Sequence, residues 1–195
     1  MRGVEQIPWL YDACCALSER FGLARWRRWL VDGAEGEVLD VGCGTGRNLP
    51  LFRPGVRVIG LEPSADTLAR ARRRAPGVLL VQGDAEALPF RSDVFDTVVS
   101  GLVFCSVPDA ARGLAEVKRV LKPGGALRML EHVRATRGWK ARVQDRWQPL
   151  WTRITGGCHW NRDTEAAVER AGFRIAPEGR RARGDMRRFV ARPVR

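Results

Sequence analysis

An apolar strand that runs straight into three alternate glycines, Val38-Leu-Asp-Val-Gly-Cys-Gly-Thr-Gly-Arg47, limits the folds open to this chain more than any other stretch. Glycine reaches backbone conformations closed to other residues. It therefore lets a ligand approach the main chain at the carboxyl end of a strand, where the following helix presents unpaired N–H groups. Such a turn predicts a nucleotide-like ligand at the edge of a parallel sheet. A dinucleotide fingerprint would need glycine where Arg47 stands, and a phosphate-cradling loop would need Gly-Lys-Ser/Thr, so both ligand classes are disfavoured. Apolar bursts of strand length at 37–41, 57–61, 77–82, 94–100 and 126–132 alternate with helical segments at 46–52, 64–75 and 109–121. That alternation predicts an α/β fold, a Rossmann-like doubly wound and mostly parallel sheet with helices on both faces. After a long loop over 134–161, a helix over 162–171 and two last strands at 173–176 and 186–191 read as a hairpin at the sheet edge. The 195 residues, 45% of them hydrophobic, suffice for one such domain. Ile7 to Val31 has helical apolar spacing, which divides the chain into an N-terminal helical lid over 1–34 and a sheet domain over 35–195.

Acidic residues narrow the ligand. Asp40 stands two residues before Gly42, Glu62 at the end of the second strand and Asp84 after the third. Singly, Glu62 or Asp84 reads equally well as a helix cap. Together they would repel a polyphosphate and suit ribose hydroxyls, an adenine amine and positive charge. S-adenosylmethionine carries all three.

The chain here resembles the class I S-adenosylmethionine-dependent methyltransferases. The resemblance runs through Asp40-Val-Gly-Cys-Gly-Thr-Gly46, Gly60-Leu-Glu-Pro63, Gly83-Asp-Ala-Glu-Ala-Leu-Pro-Phe90, Phe95-Asp-Thr-Val-Val99 and Arg119-Val-Leu-Lys-Pro-Gly-Gly125. It implies a seven-stranded sheet with an antiparallel last strand. It also implies that Gly42, Gly44 and Gly46 pass the cofactor's methionine end with Asp40 near the amino group, that Glu62 holds the ribose, that Asp84 and Ala85 read the adenine, and that Ser100 approaches from the fourth strand. Four further segments, Phe104-Cys-Ser-Val107, Leu130-Glu-His-Val133, Trp147-Gln-Pro-Leu-Trp151 and Gly156-Gly-Cys-His-Trp-Asn-Arg-Asp-Thr164, are similar to the methyltransferase-like 7 group of thiol methyltransferases. They are similar also to related bacterial enzymes labelled phospholipid or quinone methyltransferases.

Methyl transfer from a sulfonium needs a nucleophile held in line, so proximity and a dry site carry much of the catalysis and a base is optional. His132 and His159 are the candidate catalytic bases, with Cys105, Glu131, Cys158 and Arg162 as further substrate-side candidates. The spacing of the cysteines and histidines mimics no known ligand set, so no metal is expected. Trp139, Trp147, Trp151 and Trp160 suggest an apolar wall, hence a small apolar or lipid-like acceptor reacting through thiol sulfur, amine nitrogen or a phenolic or quinol oxygen.

The formal charge of +12 invites a nucleic-acid partner, but only three of the 34 basic residues are lysine and the arginines are scattered, so that partner is disfavoured. An RNA methyltransferase using the Arg-rich surface and a non-catalytic S-adenosylmethionine-binding regulator are the rival readings. No apolar run reaches the ~18 residues of a membrane span and no signal-peptide pattern opens the chain, which predicts a cytoplasmic protein. The Trp- and Arg-rich N-terminal segment allows peripheral membrane contact.

Overall fold

The computed structural model describes residues 3–4 and 7–194; the first residues of the expected lid, 1, 2, 5 and 6, lie outside them. Helices α1 (Pro8–Ser18) and α2 (Ala24–Asp32) come first, then β1 (Glu37–Val41), β2 (Arg57–Glu62), α3 (Ala65–Arg74), β3 (Leu79–Gln82) and β4 (Phe95–Gly101). Then come α4 (Ala110–Val120), β5 (Leu121–His132), α5 (Gly138–Thr155), α6 (Thr164–Arg170), β6 (Phe173–Arg183) and β7 (Met186–Pro193). The strands form one seven-stranded sheet in the order β3-β2-β1-β4-β5-β7-β6. β1 to β5 pair in parallel, and β7 lies antiparallel to both of its neighbours. Chain order reverses between β1 and β4, which opens a crevice at their carboxyl ends.

The central strands are buried on both faces, with Val38, Leu39 and Val41 of β1 and Phe95, Val98 and Val99 of β4 all buried. One core packs Leu39, Val41, Phe95, Val98, Leu127 and Phe189 against Leu114 and Val117 of α4. The opposite face packs Val38 and Val99 against Leu30 of α2, each such side chain contributing about 1.5–3 kcal/mol on burial. Ser64 and Asp109 cap α3 and α4 by accepting from Thr67 N and Arg112 N. Gly22, at φ +111°, breaks the N-terminal helical run in two.

Four expectations are corrected. The stretch 46–52 holds only a 3₁₀ turn over Leu49–Leu51. Most of the expected loop at 134–161 is α5, closed by Gly156 at φ +95°. Pro149 lies within that helix, where it forfeits one backbone hydrogen bond. Buried Gln144 compensates by tying the helix to the core: its Nε2 donates to Val133 O and Trp160 O, and its Oε1 accepts from Ala135 N. Trp139 and Trp147 stand on the outer face of α5, 59% and 53% exposed, so they wall nothing. Strands β5 and β6 also extend beyond the expected spans, to Leu121–His132 and Phe173–Arg183.

Candidate functional site

Two cavities lie over the carboxyl ends of the strands. The first, about 500 Å³, is walled by the turns after β1, β2 and β4, by 84–85 and by α1. Gly42, Gly44, Glu62, Asp84 and Ala85 line it, as does Asp66, which the sequence reading passed over. The described lining carries three carboxylates and no Lys or Arg, although the chain has 34 basic residues. A polyphosphate would be repelled there and a cationic nucleoside attracted.

The glycines divide the work. At Gly44, φ +58°, an added Cβ would meet nothing nearer than Gly42 O at 3.9 Å, so it would fill the cavity. At Gly42, φ +62°, it would strike Val103 at 2.6 Å. Gly46, φ +81°, does not line the cavity; a Cβ there would press on Ala71 at 2.9 Å, so its role is to let α3 pack against the loop. Gly44 N and Ser64 N donate to Glu62 at 3.2 Å each; burial pushes its carboxyl up, and these bonds hold it back. The cradle fits S-adenosylmethionine: open backbone at Gly44, an anchored carboxylate at Glu62, and Asp84 in the same lining.

Asp40 and Ser100 sit elsewhere. Asp40 is fully buried beneath the glycine loop, its carboxylate accepting from Asn48 Nδ2 at 3.2 and 3.3 Å, and burial pushes it up to about 7. Ser100 turns its hydroxyl away from the cavity to donate to Glu131 at 3.0 Å. Glu131, fully buried, also accepts from Val103 N, Phe104 N and Cys105 N, so it shapes the turn after β4 rather than facing substrate.

The second cavity, about 510 Å³, is apolar, with Leu23, Trp26, Trp151, Ile154 and Met186 among its walls together with Cys105 and His132. Tyr11 and Leu102 line both cavities and form the boundary between them. Leu102 has φ +64°, a conformation costly for a branched side chain, and its N–H bonds Leu130 O at 2.7 Å. The sequence marked neither residue.

Behind this wall the chain brings together Cys105, His132 and Cys158, with ligand-type atoms all within 4.8 Å of one another. Hydrogen bonding from Cys105 and His132 to Cys158 holds its thiol down at about 5 against the effect of burial. Burial disfavours the charged imidazole of His132, and the bond and charge of Cys158 overcome it, raising His132. His159 does not join them: it lines neither cavity, its Nδ1 is buried without a partner, and its N–H bonds Cys105 O at 2.7 Å. Arg162 clamps the turn after β4, donating to Phe104 O and Val107 O. Of the four tryptophans expected to form an apolar wall, Trp151 lines the second cavity, stacked on Trp160 at 4.6 Å.

Helix α1 roofs both cavities and is latched to the glycine loop by charge. Asp12 accepts from Thr45 Oγ1 at 2.7 Å and pairs with Arg47 and Arg74 at 3.1 Å each. Arg47 also pairs with Glu19. Glu19 bonds buried Arg27 at 3.0 Å, and Arg27 bonds Asn48 at 2.9 Å, which leads to Asp40.

Residues 39–129 match the family described as methyltransferase domain. The human thiol S-methyltransferase TMT1B is 36% identical over 153 residues, 73% of this chain and 63% of that protein, so the chain spans less than two thirds of the relative's length. A phosphatidylethanolamine N-methyltransferase from Cereibacter sphaeroides is 38% identical over 120 residues, 58% of this chain and 59% of that one. Among solved structures, the YcgJ protein of Bacillus subtilis superposes with a TM-score of 0.69 at 22% identity, covering 80% of this chain and 70% of that one, a likeness of fold. The match to the methyltransferase-domain family thus falls on residues 39–129, the stretch of the seven-stranded Rossmann-like sheet that runs from β1 into β5.

Proposed function

We propose that this chain is an S-adenosylmethionine-dependent methyltransferase whose donor occupies the first cavity and whose acceptor, a small apolar thiol, enters the second. The observation that carries the reading is the pairing of two cavities across Tyr11 and Leu102, one carboxylate-lined, the other apolar with a Cys–His wall. Bound S-adenosylmethionine supplies an electrophilic methyl group on a sulfonium. Glu62 would hold the ribose hydroxyls, Asp84 and Ala85 the adenine, and the Gly42–Gly44 backbone the amino-acid end. Tyr11 and Leu102 flank the line along which the nucleophile must approach, and the N-terminal helices α1 and α2 serve as the lid that keeps water out. Holding the partners in line there supplies much of the rate. The acceptor faces Cys105 and His132, which favours sulfur over the nitrogen of a phospholipid headgroup or a quinol oxygen.

Among the described residues no helix is long and apolar enough to cross a membrane. Apolar side chains nonetheless face outward on α5 at Trp139, Val143, Trp147, Leu150 and Ile154, beside exposed Lys140, Arg142, Arg146 and Arg153. Phe21 and Ile154, both exposed, reach the rim of the second cavity. A bilayer surface suits this mixture of aromatic and basic groups, and a lipophilic acceptor would pass from it into the cavity. The test is transfer of labelled methyl from S-adenosylmethionine to a panel of alkyl and aryl thiols, amines, quinols, phospholipid vesicles and RNA. Thiols should dominate; transfer to RNA alone, or binding without any transfer, would promote a rival reading.

A further inference from the structure

We propose that Cys105, His132 and Cys158 form a binding site for a thiophilic divalent cation, zinc above all, with one coordination position open to the apolar cavity. The three residues come from the turn after β4, the end of β5 and the segment after α5, so no sequence spacing announces them. Their Sγ and ring-nitrogen atoms lie within 4.8 Å of one another. Tetrahedral zinc, at about 2.3 Å from sulfur and 2.0–2.1 Å from nitrogen, needs ligand atoms roughly 3.5–3.8 Å apart, which small side-chain rotations reach.

The framework is held on every side. Cys105 donates its N–H to Glu131 at 3.4 Å and accepts from His159 N at 2.7 Å. Cys158 donates its N–H to Thr155 Oγ1 at 3.2 Å, and its carbonyl accepts from Gln148 Nε2 at 3.0 Å. His132 is fixed in the ladder opposite Met186. Two sulfurs and an imidazole select a soft or borderline ion over magnesium or calcium, which need oxygen ligands. The Glu131 carboxylate is committed to its four donors, so it supports the Cys105 turn from behind instead of ligating. Three protein ligands with a vacant fourth position is the pattern of zinc sites that act on a substrate, and Cys105 and His132 turn that position toward the cavity.

Resting on the thiol reading above, the metal would take the acceptor's sulfur as fourth ligand, which deprotonates it and releases the proton to solvent. That sulfur then forms its bond to the methyl carbon as the carbon's bond to the donor sulfonium breaks, and the electron pair of the broken bond stays on the donor sulfur.

The test uses the full chain, reduced and stripped with a chelator, titrated with zinc against a chromophoric competitor in the absence of donor and acceptor. One equivalent should bind. Cys105→Ser, His132→Ala and Cys158→Ser should each lose the stoichiometric site while His159→Ala keeps it, and cobalt in place of zinc should give thiolate-to-metal charge-transfer absorption. Should a variant unfold, the unmodified chain still decides: zinc must protect Cys105 and Cys158 from alkylation in peptide mapping. Failure to bind zinc with thiols shown to be free, equal binding by the serine variants, or a Cys105–Cys158 disulfide persisting in reductant overturns the site. Zinc binding without thiol methylation keeps the site and removes the acceptor reading, whereas undiminished thiol methylation by stripped enzyme removes the activating role.

Discussion

The two cavities are equal in size and opposite in construction. The first draws most of its lining from short turns at successive strand ends, Gly42–Thr45, Glu62–Ser64, Asp84–Ala85 and Gly101–Pro108, beneath Pro8 and Tyr11 of α1, and its recognition groups are main chain and carboxylates. The second is assembled from Cys14 and Cys15 on α1, Cys105 after β4, His132 at the end of β5, Trp151 on α5 and Met186 at the start of β7. A site made of local turns inherits its geometry from the sheet. A site made of distant side chains depends on everything that packs them, so the first should tolerate perturbation elsewhere and the second should not.

The sharpest attack on that contrast is Glu131→Ala. It orphans three backbone N–H groups and the Ser100 hydroxyl in a fully buried place, and should cost on the order of 3–5 kcal/mol in urea unfolding. A loss below about 1 kcal/mol would mean that the turn carrying Cys105 holds itself. Next comes Glu62→Ala, which should weaken donor binding by about 1.5–3 kcal/mol in calorimetry while leaving the alkylation rate of Cys105 unchanged. If both readouts move together, the cavities are not independent.

Third is a pH effect rooted beneath the first cavity. Asp40 titrates near 7 when folded against an ordinary 3.8, so between these values the folded chain keeps a proton that the unfolded chain has lost. Its contribution to stability therefore falls as pH rises through that window and levels off above it. Asp40→Asn should flatten this part of the melting-temperature profile; an unchanged slope would assign the titration elsewhere. The smallest effect is expected at Arg47→Ala, which breaks part-buried pairs to Asp12 and Glu19. Global stability should move by no more than about 1 kcal/mol, while the amides of α1 exchange faster. Unchanged exchange in α1 would remove the latch that joins the roof to the first cavity.

Most of the sheet was legible because its signals are local. Leu39, Val41, Val98 and Val99 announce buried strands, and Ser64 and Asp109 announce helix starts. Helix α5 was obscured because its apolar stripe, Trp139 to Ile154, faces outward and Pro149 interrupts it, so loop chemistry and helical spacing pulled against each other. The stripe's steps of three and four residues were the signal that could have found it. At the site, Glu62, Asp84 and Gly44 were legible as strand-end residues. Asp40, Gly46 and Ser100 belong to the same motifs yet face the interior, since alternate residues of a strand point to opposite faces and a glycine can serve packing as well as a ligand.

The sequence by itself determined the α/β architecture and the place and polarity of the first cavity, because strand period, helix caps and left-handed glycines act over a few residues. Only the tertiary structure decided that Arg47 latches a roof, that Tyr11 and Leu102 divide two cavities, and that Cys105, His132 and Cys158 meet while His159 stands apart. Those contacts join residues tens of positions apart whose side-chain directions follow from packing, a property of the whole fold that no local pattern encodes.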